Sequence, residues 1–125
     1  MSNTEKITIN MNVVELGVVD LLVEQGFYSN RTDFIKAAIR SQLTVHSKVV
    51  DNVITSKSFV MGISRYSRKA LELLLDQNKV LDIKVVGMLI LEDDIDMDLA
   101  IQTIKSLKVF GVLKASLEIK RYYLE

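Results

Sequence analysis

The sequence predicts an α+β chain in two parts: a strand followed by two helices, then a small β-α repeat domain with short parallel strands. Residues 5–12 alternate strictly between apolar and polar side chains, the signature of a half-buried strand. From Val13 to Val45 the apolar positions recur at three and four, as in amphipathic helices. In the second half, short apolar segments carrying a glycine return three times, at Gly62, Gly87 and Gly111, 25 and 24 residues apart.

Composition narrows the chemistry. The 125 residues include 16 Lys plus Arg and 16 Asp plus Glu, for zero formal net charge, and 49% are hydrophobic. A chain of this kind buries a core rather than staying disordered. With no Cys and one His, disulfides, thiolate nucleophiles, Cys-ligated zinc and multi-His metal sites are excluded. No cofactor and no metal site are expected. The longest apolar run, Val85 to Leu91, is too short to cross a bilayer, and the start Met-Ser-Asn-Thr-Glu-Lys lacks the apolar segment of a signal peptide, so a cytoplasmic protein is expected. Zero net charge argues against holding nucleic acid by bulk electrostatics alone, while leaving room for a local basic face.

In the first part, Ile7, Ile9 and Met11 share one side of the predicted strand and Lys6, Thr8 and Asn10 the other. Asn12 suits the N-cap of a first helix, Val13 to Gln25, carrying Leu16, Val19, Leu22 and Val23, with Gly26 as its left-handed C-terminal residue. Ser29 and Asn30 offer caps for a second helix reaching about Val45, whose stripe is Phe34, Ile35, Ala38, Ile39 and Leu43. One strand and two helices have unpaired strand edges and too little surface to cover Ile7, Ile9 and Met11. The economical solution is a twofold dimer, in which two strands pair antiparallel over four helices and expose Lys6, Thr8 and Asn10 of both chains. A two-stranded ribbon fits the DNA major groove.

The run Lys6-Ile-Thr-Ile-Asn-Met-Asn12, the helix ending at Gln25-Gly26, and Phe27-Tyr-Ser-Asn-Arg-Thr-Asp-Phe-Ile-Lys-Ala-Ala-Ile-Arg40 together resemble the ribbon-helix-helix regulators of the CopG, Arc and MetJ type. The resemblance covers roughly residues 5–45. It implies that Lys6, Thr8 and Asn10 contact bases and that Ser29, Asn30, Arg31 and Thr32, at the start of the second helix, contact a DNA phosphate. Physical chemistry supports those roles: Asn suits adenine, Lys suits guanine, the Thr methyl suits the thymine methyl, and free amides at a helix N-terminus attract anions. The bland roles remain open. Lys6, Thr8 and Asn10 also suit the solvated face of a strand, and Arg31 suits a structural pairing with Asp33 or a neighbouring acid. Lys36 and Arg40 suit either phosphate flanks or solvent. Two positions depart from the family pattern: Asn12 stands where Pro is common, and Asn10 where a longer basic side chain is common.

In the second part, the segments 59–63, 84–88 and 108–112 are each followed by a helical pattern, at Ser67 to Gln77, Asp96 to Leu107 and Ser116 to Leu124. Strands joined by helices imply parallel pairing, and a period near 24 lies in the range of solenoid repeats. A glycine at one place in each strand suits close backbone approach or a bulge. An ordinary small α/β domain with a coincidental glycine is the plainer alternative. The acidic run Glu92 to Asp98 begins like a calcium loop at Asp94, Asp96 and Asp98, but Leu99 stands at the required glycine and Lys105 at the bidentate glutamate, so a helix-capping role is expected. His46 has no second ligand nearby and suits a solvated or capping position. Residues 44–58 contain neither Pro nor Gly, and are expected to extend the second helix or pack against their own dimer.

The domains expected are therefore residues 1–48, for dimerisation and DNA binding, and 58–125, for oligomerisation or partner binding. The function expected is a sequence-specific DNA-binding transcriptional regulator of the repressor kind. Its partners are double-stranded DNA and a second copy of itself, with a tetramer or larger assembly through the C-terminal domain. The alternative is a protein-interaction module, antitoxin-like or co-regulatory, whose C-terminal domain binds another protein. No paired carboxylate with a base, nucleophile–His pair or phosphate loop points to an enzyme.

Overall fold

The computed structural model describes residues 3–124 and divides into two compact units, Met1–Asn52 and Val53–Glu125. In the first unit, α1 (Val13–Glu24) and α2 (Arg31–Val45) follow an N-terminal segment, and α3 (Ser47–Ser56) spans the division. The second unit comprises β1 (Val60–Tyr66), α4 (Arg68–Asp76), β2 (Leu81–Leu91), α5 (Met97–Thr103), β3 (Ile104–Lys114) and α6 (Leu117–Leu124).

The cap chemistry matches the helix starts. Asn12 accepts from the amides of Val14 and Glu15, Asn30 from Asp33, Ser67 from Ala70 and Asp96 from Leu99. At the other ends, Gly26, Ser58 and Asn78 all take positive φ, at 87°, 57° and 54°. The amide after each reaches back to the carbonyl of Leu22, Ile54 or Leu74. Only the first of these stops is a glycine.

Residues 5–12 correct the expectation of a strand: the single chain forms none there, and Ile7 and Ile9 are 77% and 67% exposed. A strand needs a hydrogen-bonding neighbour, and one copy of this segment offers no second edge. The region 44–58 is likewise not a continuation of α2. That helix closes at His46, its C-cap, and α3 begins afresh at Ser47. The Thr44 hydroxyl donates to the Arg40 carbonyl at 2.9 Å, a back-bond that tends to bend a helix.

In the second unit, β1, β2 and β3 form one parallel sheet in that order. The strands run 7, 11 and 11 residues, so β2 and β3 are longer than the short segments expected. The helix expected to reach Leu107 stops at Thr103, where β3 begins. Ile104 and Leu107 are three apart, a spacing that mimics a helix. Their actual cause is a bulge: Leu81 pairs with Ile104 but Asp82 with Ser106, so Lys105 is the extra residue and both apolar side chains reach the core. Tyr123 clamps this junction, its hydroxyl lying 3.0 Å from the Ala100 carbonyl and 2.7 Å from that of Ile104. Burial, with the neighbouring Tyr122, pushes its pKa up to about 12.

The core joins one face of the sheet to the three helices. Ile83, Val85, Leu89 and Leu91 of β2 pack with Leu71 of α4, Leu99 and Ala100 of α5, Ile104 and Leu113 of β3, and Ile119 of α6. Alternation sends Met61, Ile63, Val86, Met88, Phe110 and Val112 to the opposite face, where Met61, Ile63 and Phe110 are more than half exposed.

The repeated glycines meet in one row, Gly62 beside Gly87 beside Gly111, with φ of 131°, 137° and 120°. Their conformation is open only to glycine. A Cβ on Gly87 would collide with the carbonyl oxygen of Gly62 and lie 3.0 Å from its carbon, and one on Gly111 would meet Gly87 in the same way. Around Gly62 nothing lies within 4 Å. Gly62→Ala should therefore cost only backbone strain, about 1–3 kcal/mol. Gly87→Ala and Gly111→Ala should each cost clearly more, because two strands must also part. Chemical denaturation of the three variants checks this order, and equal losses would remove the role of close approach.

Candidate nucleic-acid interface

All the residues expected to meet DNA fall in the first unit. Lys6, Thr8 and Asn10 lie exposed in the segment before α1, and none of their side chains forms a hydrogen bond or ion pair among the described residues. They are free to contact a ligand and, in one chain, are not fixed by a strand. Ser29 to Thr32 form the turn and first helical positions of α2, all exposed.

That turn is tightly built. Asn30 Oδ1 accepts from the Asp33 amide at 2.8 Å, and the Ser29 amide donates to Asp33 Oδ2 at 3.0 Å. The two bonds form a reciprocal cap that fixes the start of the helix. The amides of Arg31 and Thr32, at the first two helical positions, have no intrahelical acceptor, and the helix dipole favours an anion beside them. The Arg31 side chain is occupied: Nε and Nη2 donate to the two carboxylate oxygens of Asp20, both at 2.8 Å. Arg31 thus staples the start of α2 to α1 through a carboxylate eleven residues back. Sequence spacing does not bring Asp20 forward as the partner, because the contact depends on how the two helices cross. The guanidinium also holds the Asp20 carboxyl below its ordinary pKa, through the hydrogen bond first and the charge second.

The helices leave much of their apolar surface open. Val19 is the one buried hydrophobic residue of this unit among those described, while Val14, Val18, Leu21, Ile39 and Leu43 are roughly half exposed or more. Met11, Val14, Val18, Val19 and Phe34, with Glu15, line an apolar cleft of about 320 Å³. Tyr28 closes edge-on against the Phe34 ring, with centroids 5.0 Å apart.

Elsewhere, Asp96 caps α5 and meets Arg68 at 3.1 Å, and the Asp94 carbonyl accepts from the same arginine, so the acidic run is tied into the fold. Among the described residues no group of three acidic or histidine side chains could hold a metal ion, and no helix is long and apolar enough to cross a membrane.

Because Asp20 has a lowered pKa in the folded chain, its pairing stabilises the helix crossing above the ordinary value of 3.8 and is lost as pH falls through the lowered value. Asp20→Asn should therefore lower the thermal midpoint at pH 6, with the gap to wild type closing as the pH falls below the ordinary carboxylate value and through the lowered one. A gap independent of pH, read by circular dichroism melts, would mean that the pair contributes nothing through its charge.

No curated protein and no solved structure matches the chain. A family model described as the Ribbon-Helix-Helix transcriptional regulator family matches residues 2–120, far beyond the third of the chain in which the resemblance was legible. Members of this family are DNA-binding regulators of transcription, normally without enzymatic activity. With two capped helices behind an exposed alternating segment, and a match over nearly its whole length, the chain belongs to the ribbon-helix-helix transcriptional regulator family.

Proposed function

We propose that the protein is a sequence-specific repressor that acts as a homodimer, laying a two-stranded ribbon in the major groove and blocking a promoter. The observation that carries this reading is the pairing of an unpartnered, strictly alternating segment with helices whose apolar surface lies open. A second chain answers both needs at once: its segment supplies the missing strand edge, and its helices cover Ile7, Ile9 and the apolar cleft. Lys6, Thr8 and Asn10 of both chains then face the bases. Ser29, Asn30, Arg31 and Thr32 anchor the phosphate, chiefly through the amides of Arg31 and Thr32 and the Thr32 hydroxyl, since the Arg31 guanidinium is held by Asp20. Residues 1–48 form the dimerisation and DNA-binding domain, and residues 58–125 bring dimers together on adjacent half-sites from within the cytoplasm.

A second reading has the C-terminal domain dock a different protein, with DNA binding serving autoregulation. The exposed sheet face bearing Met61, Ile63 and Phe110 favours an association role without choosing between the two. Solution mass separates them: a discrete tetramer or larger species of the lone protein supports self-assembly, and a persistent dimer supports the docked partner.

Selection of bound duplexes at near-physiological salt tests the mechanism. The native protein should recover a palindromic or repeated motif. Lys6→Ala/Thr8→Ala/Asn10→Ala, verified as a folded dimer, should lose it, since each good base contact contributes about 1–3 kcal/mol of discrimination. Recovery of the same DNA by both proteins would overturn the ribbon as the reader.

A further inference from the structure

Beyond DNA binding, the second unit carries a groove whose chemistry the regulator reading does not use. Val53, Lys57, Phe59, Lys84, Lys108 and Phe110 line a space of about 430 Å³. The two phenyl rings lie 5.6 Å apart at 47°, forming an aromatic corner, and Val53 adds an aliphatic wall. Lys57, Lys84 and Lys108 complete the lining. Lys84 Nζ donates to the Lys57 carbonyl at 3.2 Å, and Lys108 Nζ sits 5.2 Å from the centre of the Phe110 ring. These contacts hold two of the cations in place without neutralising them.

The charge there is uncompensated. Arg65 and Arg68 of the same unit form ion pairs with Glu92, and with Glu72 and Asp96. Lys57, Lys84 and Lys108 form none among the described residues, and no acid lines the groove. Asp82, on the same face two positions before Lys84, makes no ion pair with it. The closeness in register of Lys84 and Lys108 is a repulsion that the sheet enforces, because the two are direct partners across β2 and β3. An anion relieves that repulsion, and an aromatic body beside it covers Phe59 and Phe110.

We propose that this groove binds a small phosphorylated aromatic compound of the mononucleotide class. The phosphate meets Lys84 and Lys108, with Lys57 at the rim, and the planar base stacks on the phenylalanine corner. Lysine serves phosphate as a point charge, and base–phenyl stacking tolerates any base. The volume lies within the ordinary range of small-molecule sites.

Titration calorimetry of the full-length protein with AMP, GMP, CMP and UMP, without DNA, tests the site independently of the DNA-binding mechanism. At least one nucleotide should bind, with its nucleoside and inorganic phosphate each weaker by about tenfold or more. Lys84→Gln/Lys108→Gln removes both charges while keeping polar side chains and should weaken binding by about tenfold, as should Phe110→Leu, while Lys84→Arg/Lys108→Arg should retain it. Melts of each variant separate lost binding from lost folding. The proposal is overturned if no nucleotide binds at about 5 mM, if the Gln variant binds as wild type, or if inorganic phosphate alone binds equally well. It is also overturned if the Gln variant loses affinity for DNA while no nucleotide binds, which would assign these lysines to the DNA backbone.

Discussion

The burial of apolar surface sets the terms for everything in the first unit. Two helices that seclude Val19 alone among their hydrophobic residues gain little from water exclusion against the cost of ordering about forty residues. Good caps at Asn12 and Asn30 and the Asp20–Arg31 pair direct where the helices begin and how they meet, but local devices of this size do not fold an isolated helix pair. Exposed ion pairs in particular contribute little. In the proposed dimer the stability of this unit is coupled to association, and its apparent value then depends on protein concentration.

The second unit is built on the opposite principle. Its core is closed within the chain: β2 is flanked on both edges, one face is covered by three helices, and the buried Thr103 hydroxyl donates to Leu99. The two halves thus differ in kind, one enclosing a core of its own and the other leaving most of its apolar side chains open. Family membership reaches across both, so the folded half is part of what defines these regulators.

Much of this was legible in the residues. Asn12, Asn30, Ser67 and Asp96 announce helix starts because an N-cap needs a short acceptor side chain, and each does cap its helix. The row of glycines was visible as a repeat because all three take a positive φ and close strand approach leaves no room for a side chain at Gly87 and Gly111. The failures are equally physical. Ile104 and Leu107 read as a helix because a bulge reproduces a spacing of three, and a bulge depends on a partner strand elsewhere in the chain. The stop at Ser58 was silent because serine has no preference for the left-handed turn, whereas Asn78 does carry such a signal, since asparagine tolerates that conformation. In the candidate interface, the residues of the segment and turn were readable from their order, whereas the Asp20–Arg31 contact was set by a helix crossing that no local pattern encodes. The groove around Phe59 and Phe110 was equally hidden, since it joins α3 and the turn after it to β2 and β3.

The row of glycines also governs what can be added to the sheet. Each glycine after the first rests against the carbonyl of the strand before it, so the row has a direction. A fourth strand continuing beyond β3 in the same geometry would set its residue against the Gly111 carbonyl, where any side chain meets the same obstruction. Open strand edges ordinarily accept almost any extended peptide, which is how they seed aggregates. Here a strand that continues the parallel register and backbone geometry of the row beyond β3 meets a steric password, a glycine at one position.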